Sequence, residues 1–227
     1  MTIKQALEKG TIMLKGENLD SPKIKARLLM QDILNKPRTY LLVHDNQTIN
    51  EKTLEKYFKN IEKVKNGIPI EHITHQKEFM KLSFYVNENV LIPRQDTEVL
   101  VEEVISIAKR INAKKILDLC TGSGCIAIST LCERPDLRGD AVDISRPAVQ
   151  IAGKNAEING VAPRLRIIEA NAENPLLISD LQNYYNRNQI YDIIVSNPPY
   201  IRTSVIESLS LQVKSEPRIA LDGGVDG

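Results

Sequence analysis

Lys115-Ile116-Leu117-Asp118-Leu119-Cys120-Thr121-Gly122-Ser123-Gly124-Cys125-Ile126-Ala127-Ile128 decides the fold. A short, mostly apolar run of strand length meets a glycine turn and continues into an apolar stretch of helical length, near 125–133. Downstream, the runs Gly139–Ile144, Leu165–Ala170 and Tyr191–Ser196 read as further strands, with a second helix near 147–159 bracketed by Pro147 and Gly160. Upstream, Asp96-Thr97 is placed to cap a helix through Val99, Leu100, Val104 and Ile107. Strands alternating with helices predict parallel strands joined by right-handed crossovers, an α/β sheet.

Before residue 70 the pattern is helical throughout. Ile3, Leu7 and Leu14 fall on one stripe, with Gly16 as its stop. Ser21-Pro22 reads as an N-cap with proline in the first turn, followed by Ile24, Leu28, Leu29 and Ile33 on one face. A short helix follows Pro37, through Tyr40, Leu41 and Leu42. Asn50 caps a longer one carrying Leu54, Tyr57, Phe58, Ile61 and Val64, closed by Gly67. Helices this short are marginal alone, so they are expected to pack as a small bundle. Between about 70 and 92, Phe79, Leu82, Phe84, Val86, Val90 and Ile92 predict two strands forming a hairpin that bridges the halves.

The chain has 227 residues, 30 basic against 29 acidic, a net charge of +1 and 42% hydrophobic residues. These values exclude disordered and collagen-like classes, and no apolar run reaches the roughly 20 residues of a membrane-spanning helix. Glu8 stands where a signal peptide would be apolar, and three cysteines are too few for a disulfide framework, so a reducing cytoplasm is expected. Residues 1–86 hold 15 Lys/Arg and 10 Asp/Glu, and the remainder 15 and 19, so two oppositely charged halves underlie the balance.

The loop after the first strand, with Thr121, Gly122, Ser123 and Gly124, frees the backbone to approach a ligand at a helix N-terminus. Asp143, about twenty residues on at a strand end, suits the hydroxyls of a ribose. Loop and acid together fit a nicotinamide dinucleotide or S-adenosylmethionine equally. The second motif separates them. Asn197-Pro198-Pro199-Tyr200 follows the apolar strand Tyr191–Ser196, where open α/β sheets bind ligands. Two prolines fix the backbone, and an Asn side-chain oxygen with a neighbouring carbonyl accepts both protons of a planar NH2 group. A dinucleotide oxidoreductase leaves that motif without a role.

Asp118–Gly124, Asp143 and Asn197–Tyr200 resemble the class I S-adenosylmethionine methyltransferases that act on planar amino nitrogens. Ile92-Pro93-Arg94-Gln95-Asp96-Thr97-Glu98, Thr121–Ile128, Asn197–Ile201 and Glu216-Pro217-Arg218-x-Ala220-Leu221-x-Gly223-Gly224 narrow the resemblance to the HemK/PrmC family. It implies a Rossmann-like catalytic sheet and S-adenosylmethionine as cofactor. It also implies methylation of the glutamine amide in the Gly-Gly-Gln motif of class-1 peptide chain release factors. The implied organisation is a helical release-factor-recognition domain over 1–70, a hairpin linker over 71–92 and a catalytic domain over 93–227. The resemblance assigns Asn197, Pro198, Pro199 and Tyr200 to catalysis. It assigns Asp118, Cys120, Thr121, Gly122, Ser123, Gly124, Asp143, Asn171, Ala172 and Asn197 to the cofactor, with no metal. A monomer away from membranes is expected.

The chain departs from the family pattern at Cys120, where glycine is frequent, at Gln95-Asp96, where Pro-Glu is usual, and at Asn171, where Asp is common. The family's sheet has seven strands. Only four are legible before Gly223-Gly224-Val225-Asp226-Gly227, so the catalytic domain is expected to be incomplete at its C-terminal side. A nucleic-acid amino methyltransferase shares the Asn-Pro-Pro-Tyr motif, but the catalytic half is acidic, not basic. His72 and His75 lack ligand spacing, and Cys120, Cys125 and Cys132 read as small apolar residues. Lys52, Lys56, Lys59, Lys63 and Lys65 read as a solvated helix face, with an acidic partner or ribosomal RNA as the alternative.

Overall fold

Thr2 starts the first helix with a reciprocal cap: its hydroxyl oxygen accepts from the Gln5 N–H at 3.3 Å, and Gln5 Oε1 accepts from the Thr2 N–H at 2.9 Å. The structure, a computed structural model, describes residues 1–15, 20–174, 177, 179, 181 and 191–227. The chain divides into two units, Met1–Thr74 with Ser210–Ser215, and His75–Leu209 with Glu216–Gly227.

The first unit is a bundle of α1 (Ile3–Leu14), α2 (Pro22–Leu34), α3 (Arg38–Val43), α4 (Glu51–Lys65) and the short α5 (Ile70–Thr74). Gly16, expected as the stop of α1, lies outside the described residues. Pro22 opens α2 as expected, but Ser21 makes no side-chain cap. Its backbone sits at φ 52°, a left-handed conformation instead of the extended one an N-cap uses. Asn50 does cap α4, its Oδ1 accepting from the Thr53 N–H at 2.9 Å. Gly67 ends that helix at φ +90°, with its N–H on the Val64 carbonyl and the Ile68 N–H on Lys63. Leu14, Leu29, Met30, Tyr57 and Ile61 are fully buried at the centre, and the Tyr57 hydroxyl donates to the Ala26 carbonyl at 3.2 Å. Burial holds that phenol well above its ordinary pKa.

The second unit begins with a hairpin of β1 (Lys77–Phe79) and β2 (Leu82–Phe84), turned by Met80 and Lys81, both at positive φ. Phe79 and Phe84 enter the same core as Val101 and Val104 of α6 (Asp96–Arg110), so the hairpin is part of this unit's core. Val86, Val90 and Ile92 lie outside any strand, which corrects the longer strands expected from their alternation. Val86 and Val90 are buried instead against Ala148 and Ile151. Gln95, not Asp96, takes the N-cap position of α6.

The sheet holds β3 (Lys115–Leu119), β4 (Arg138–Asp143), β5 (Leu165–Glu169) and β6 (Ile193–Ser196), all parallel, in the order β5-β4-β3-β6. The crossover helices α7 (Cys125–Glu133) and α8 (Arg146–Ile158) follow β3 and β4. Side chains alternate between faces as the pleat requires: Ile116 and Ala141 join the core that holds α7, and Leu117 and Val142 pack with Leu177, Leu181 and Tyr191. Asp140, almost fully buried in β4, accepts from Tyr191, from Lys115 at 3.3 Å and from Arg166 Nε and Nη2, each at 3.2 Å. This buried carboxylate therefore links β3, β4 and β5 without being left unpaired. Among the described residues β6 lies at one side of the sheet, and its Ile194 is 55% exposed.

Candidate functional site

Strand order reverses direction between β3 and β6: the chain moves outward from β3 through β4 to β5, then returns to the other side of β3. In open parallel sheets this switch point leaves a crevice beyond the carboxyl ends of the strands. A cavity of about 590 Å³ lies there, walled by the segments that follow β3, β4, β5 and β6, by 89–97 and by 219–224.

The segment after β3 shapes the floor. Cys120 at φ 58°, Gly122 at φ 54° and Gly124 at φ 81° coil the backbone tightly. Cysteine in that region carries a steric cost of about 1 kcal/mol that glycine avoids. Cys120, Thr121, Gly122 and Ser123 line the cavity. Gly124 does not: it is the N-cap of α7. Asp118, expected as a cofactor ligand, is not among the lining residues either. It is fully buried beneath the loop, where it accepts from Thr121 Oγ1 at 2.6 Å and from the Ala127 N–H at 3.3 Å. Burial, with the Asp143 charge as a minor contributor, pushes its carboxyl up to about 7, and Oδ1 is buried with no hydrogen-bond partner. Asp118 therefore anchors the loop from below.

Asp143 ends β4 and reaches the cavity. Its Oδ2 accepts from the Gly122 N–H at 2.8 Å and its Oδ1 from the Ser145 N–H at 2.9 Å. Each oxygen keeps a second lone pair, enough for two vicinal hydroxyl donors. Ile144, 52% exposed, adds an apolar wall beside it. After β5, Asn171 and Ala172 also line the cavity, with Asn171 Oδ1 accepting from the Glu173 N–H at 2.9 Å. These features fit S-adenosylmethionine: a carboxylate with free lone pairs for a ribose, apolar surface for an adenine, and a coiled loop opening a helix for the charged amino-acid end.

After β6, Asn197, Pro198 and Pro199 line the opposite wall. Tyr200 does not line the cavity, and the residue is 69% exposed. The last described segment braces this loop. Ile201 donates to the Leu221 carbonyl at 3.0 Å, and the Gly223 N–H donates to the Ile201 carbonyl at 2.8 Å. A Cβ on Gly223 would fall 2.8 Å from Tyr200 Cα and 2.9 Å from the Pro199 oxygen, so the approach requires glycine.

Arg94 is a cavity residue to which the sequence reading gave no role. Its guanidinium pairs with Glu216, whose other oxygen accepts from the Ile92 N–H at 2.9 Å. Glu216 is nearly buried and Arg94 is 42% exposed at the side chain, so the acid fixes an arginine at the cavity wall. The two sequence motifs Ile92-Pro93-Arg94 and Glu216-Pro217-Arg218 thus meet in space. Their only advance signal was their presence as motifs. Among the described residues, no group of three or more side chains is arranged to hold a metal ion.

Parallel sheet, strand-end carboxylate and glycine loop define a Rossmann-like nucleoside-cofactor domain, and the Asn197-Pro198-Pro199 wall fits a methyltransferase among such domains. Residues 5–74 match the family model described as the PrmC N-terminal domain, and residues 95–213 match the methyltransferase small domain. The full chain is 40% identical to a release factor glutamine methyltransferase of Clostridium acetobutylicum, of which it spans 77%. It is 37% identical to a bifunctional methyltransferase of Rickettsia typhi, of which it spans 45%. The chain belongs to the release factor glutamine methyltransferase family. The human Mettl16 catalytic domain, solved with an RNA hairpin, shares the fold at TM-score 0.52 and 16% identity, over 70% of this chain and 59% of that one.

Proposed function

We propose that the chain methylates the side-chain amide nitrogen of the glutamine in the Gly-Gly-Gln motif of class-1 peptide chain release factors. The observation that carries the reading is the Asn197-Pro198-Pro199 wall facing the same cavity as Asp143. Bound S-adenosylmethionine supplies an electrophilic methyl group on a sulfonium. Asp143 would hold the ribose hydroxyls, Ile144 and Ala172 the adenine face, and the Thr121–Ser123 loop the amino-acid end.

An amide nitrogen is a poor nucleophile because its lone pair is delocalised. The Asn197 side-chain oxygen and the Pro198 carbonyl each accept one amide proton in this reading, which orients the lone pair and favours a pyramidal nitrogen. Gly223 keeps those acceptors in place by packing against the Pro199–Tyr200 backbone. The exposed Tyr200 ring is available to pack on the flat substrate amide as it arrives. No strong base is needed, because the amide proton becomes acidic only as the N–C bond forms, and it then leaves to solvent. The helical first unit is proposed to recognise the release factor, as part of translation termination in the cytoplasm. No helix among the described residues is long and apolar enough to cross a membrane.

Incubation with methyl-labelled S-adenosylmethionine and a purified release factor tests this. Label is expected on the release factor and not on nucleic acid, whereas label on nucleic acid alone would overturn the proposal. Asn197→Ala is expected to lower methyl transfer by about 100-fold or more, the scale seen when one positioned polar group is removed from an active site. Cofactor binding by the variant is expected to stay within a few-fold of the parent. Equal loss of binding and turnover would show that Asn197 serves the cofactor and not the amide.

A further inference from the structure

The first unit holds a second cavity, of about 460 Å³, bounded by residues of α1, α2 and α3. Leu7 and Leu41 line it, together with Ile12 and Leu42, which are 69% and 65% exposed. Single exposed aliphatic side chains are ordinary on a protein surface, but several lining one concave site mark a place where a partner is received. Among the described residues, Lys15, Lys23, Arg27 and Arg38 stand around this apolar lining against one carboxylate, Glu8. None of the four cations forms an ion pair among the described residues, and Arg27 Nε is buried without a hydrogen-bond partner.

Charge and shape together define the occupant. An excess of three positive charges calls for carboxylates or phosphates, and the aliphatic lining calls for aliphatic side chains. Nucleic acid satisfies the first demand only. Unpaired bases are gripped by aromatic stacking, and none of the described residues lining this groove is aromatic. An acidic peptide with aliphatic anchors satisfies both. We propose that the α1–α2–α3 groove receives an acidic, aliphatic-bearing segment of the protein substrate, with carboxylates on Arg27, Arg38 and the lysines and aliphatic side chains over Ile12 and Leu42. The proposal deepens the substrate reading above and rests on it for the identity of the protein, but not for the chemistry of the groove.

Two exposed cations, Lys23 and Arg38, supply the test without disturbing the core. In the full chain, Lys23→Glu with Arg38→Glu is expected to raise KM for the intact release factor by about 10-fold or more, a scale set by losing two charge-assisted contacts. The value of kcat, the affinity for S-adenosylmethionine and turnover of a short Gly-Gly-Gln peptide should all stay within about two-fold, since none of these uses the groove. An unchanged KM overturns the groove proposal and leaves the reaction standing. Failure of the parent chain to methylate the release factor while binding cofactor overturns the reaction reading instead.

A binding arm independent of turnover covers that case. The probe is a fluorescein-labelled amphipathic Glu/Leu peptide, compared with its Lys/Leu counterpart and with single-stranded RNA. Preferential binding of the Glu/Leu peptide, weakened about 10-fold by the double variant and by Leu42→Asp, supports the groove. Preference for RNA or for the Lys/Leu peptide, or no effect of the substitutions, overturns it.

Discussion

Replacing Asp118 with Asn tests whether the cofactor loop is held by a carboxylate that the fold strains to keep ionised. The side chain has no exposure, one oxygen accepts from Thr121 and Ala127, and the other has no partner. Burial raises its pKa from 3.8 to about 7. The sign follows from proton binding in the two states. Below about pH 4 both folded and unfolded chains carry the proton and the group is neutral in its effect. Between about pH 4 and pH 7 the unfolded chain releases the proton and the folded one keeps it, so stability falls as pH rises. Above about pH 7 both are ionised and the full penalty applies. At about 1.4 kcal/mol for each tenfold difference in proton affinity, the ceiling is about 4 kcal/mol. Asn keeps the shape and the oxygen acceptor and removes the charge. Urea unfolding of parent and Asp118→Asn chains, followed by circular dichroism without cofactor, is expected to show the variant gaining about 2–3 kcal/mol relative to the parent between pH 5 and pH 8. A difference that stays flat within about 0.5 kcal/mol over that interval would refute burial as the cause, because the packing and hydrogen-bond changes of the substitution carry no such pH dependence.

Three other substitutions probe the supports of the site. Gly223→Ala drives a Cβ into the Tyr200 and Pro199 backbone and is expected to cut methyl transfer about 10-fold or more while leaving cofactor affinity near the parent value, as displacements of about 1 Å do to positioned groups; titration calorimetry beside a turnover assay separates the two. Glu216→Ala leaves the Ile92 N–H without its acceptor and Arg94 without its partner, and is expected to cost about 2–3 kcal/mol by denaturant unfolding; a loss under about 0.5 kcal/mol would mean the pair is not formed in solution. Tyr191→Phe removes one of the partners of buried Asp140 and is expected to destabilise the second unit by about 1–2 kcal/mol in a thermal melt, with Asp140→Leu/Tyr191→Phe closing a cycle in which non-additivity reports the contact.

Local signals explain what was readable in advance. The strand, glycine turn and helix from Lys115 to Glu133 lie within one contiguous stretch, and the structure places β3 and α7 within it. The Asn50 cap and the Gly67 stop were equally local, each depending on residues within four positions. Misreadings arose where the same local pattern serves two outcomes. Val86 and Val90 alternate like a strand because a loop laid over α8 also buries every few residues, and nothing near them in sequence distinguishes sheet pairing from that contact. Ser21 has the chemistry of an N-cap but a backbone in the left-handed region, which its side chain does not specify.

Residues close together along the chain specify the parallel α/β sheet, the loops around Cys120–Ser123 and Asn197–Pro199, and the strand-end Asp143. The packing of distant segments places Asp118 under the cavity instead of in it, leaves Tyr200 exposed, and lets Glu216 hold Arg94 across 122 positions of sequence. Hydrophobic period and turn chemistry are encoded locally, whereas burial and partner choice are properties of surfaces that exist only once distant segments have packed.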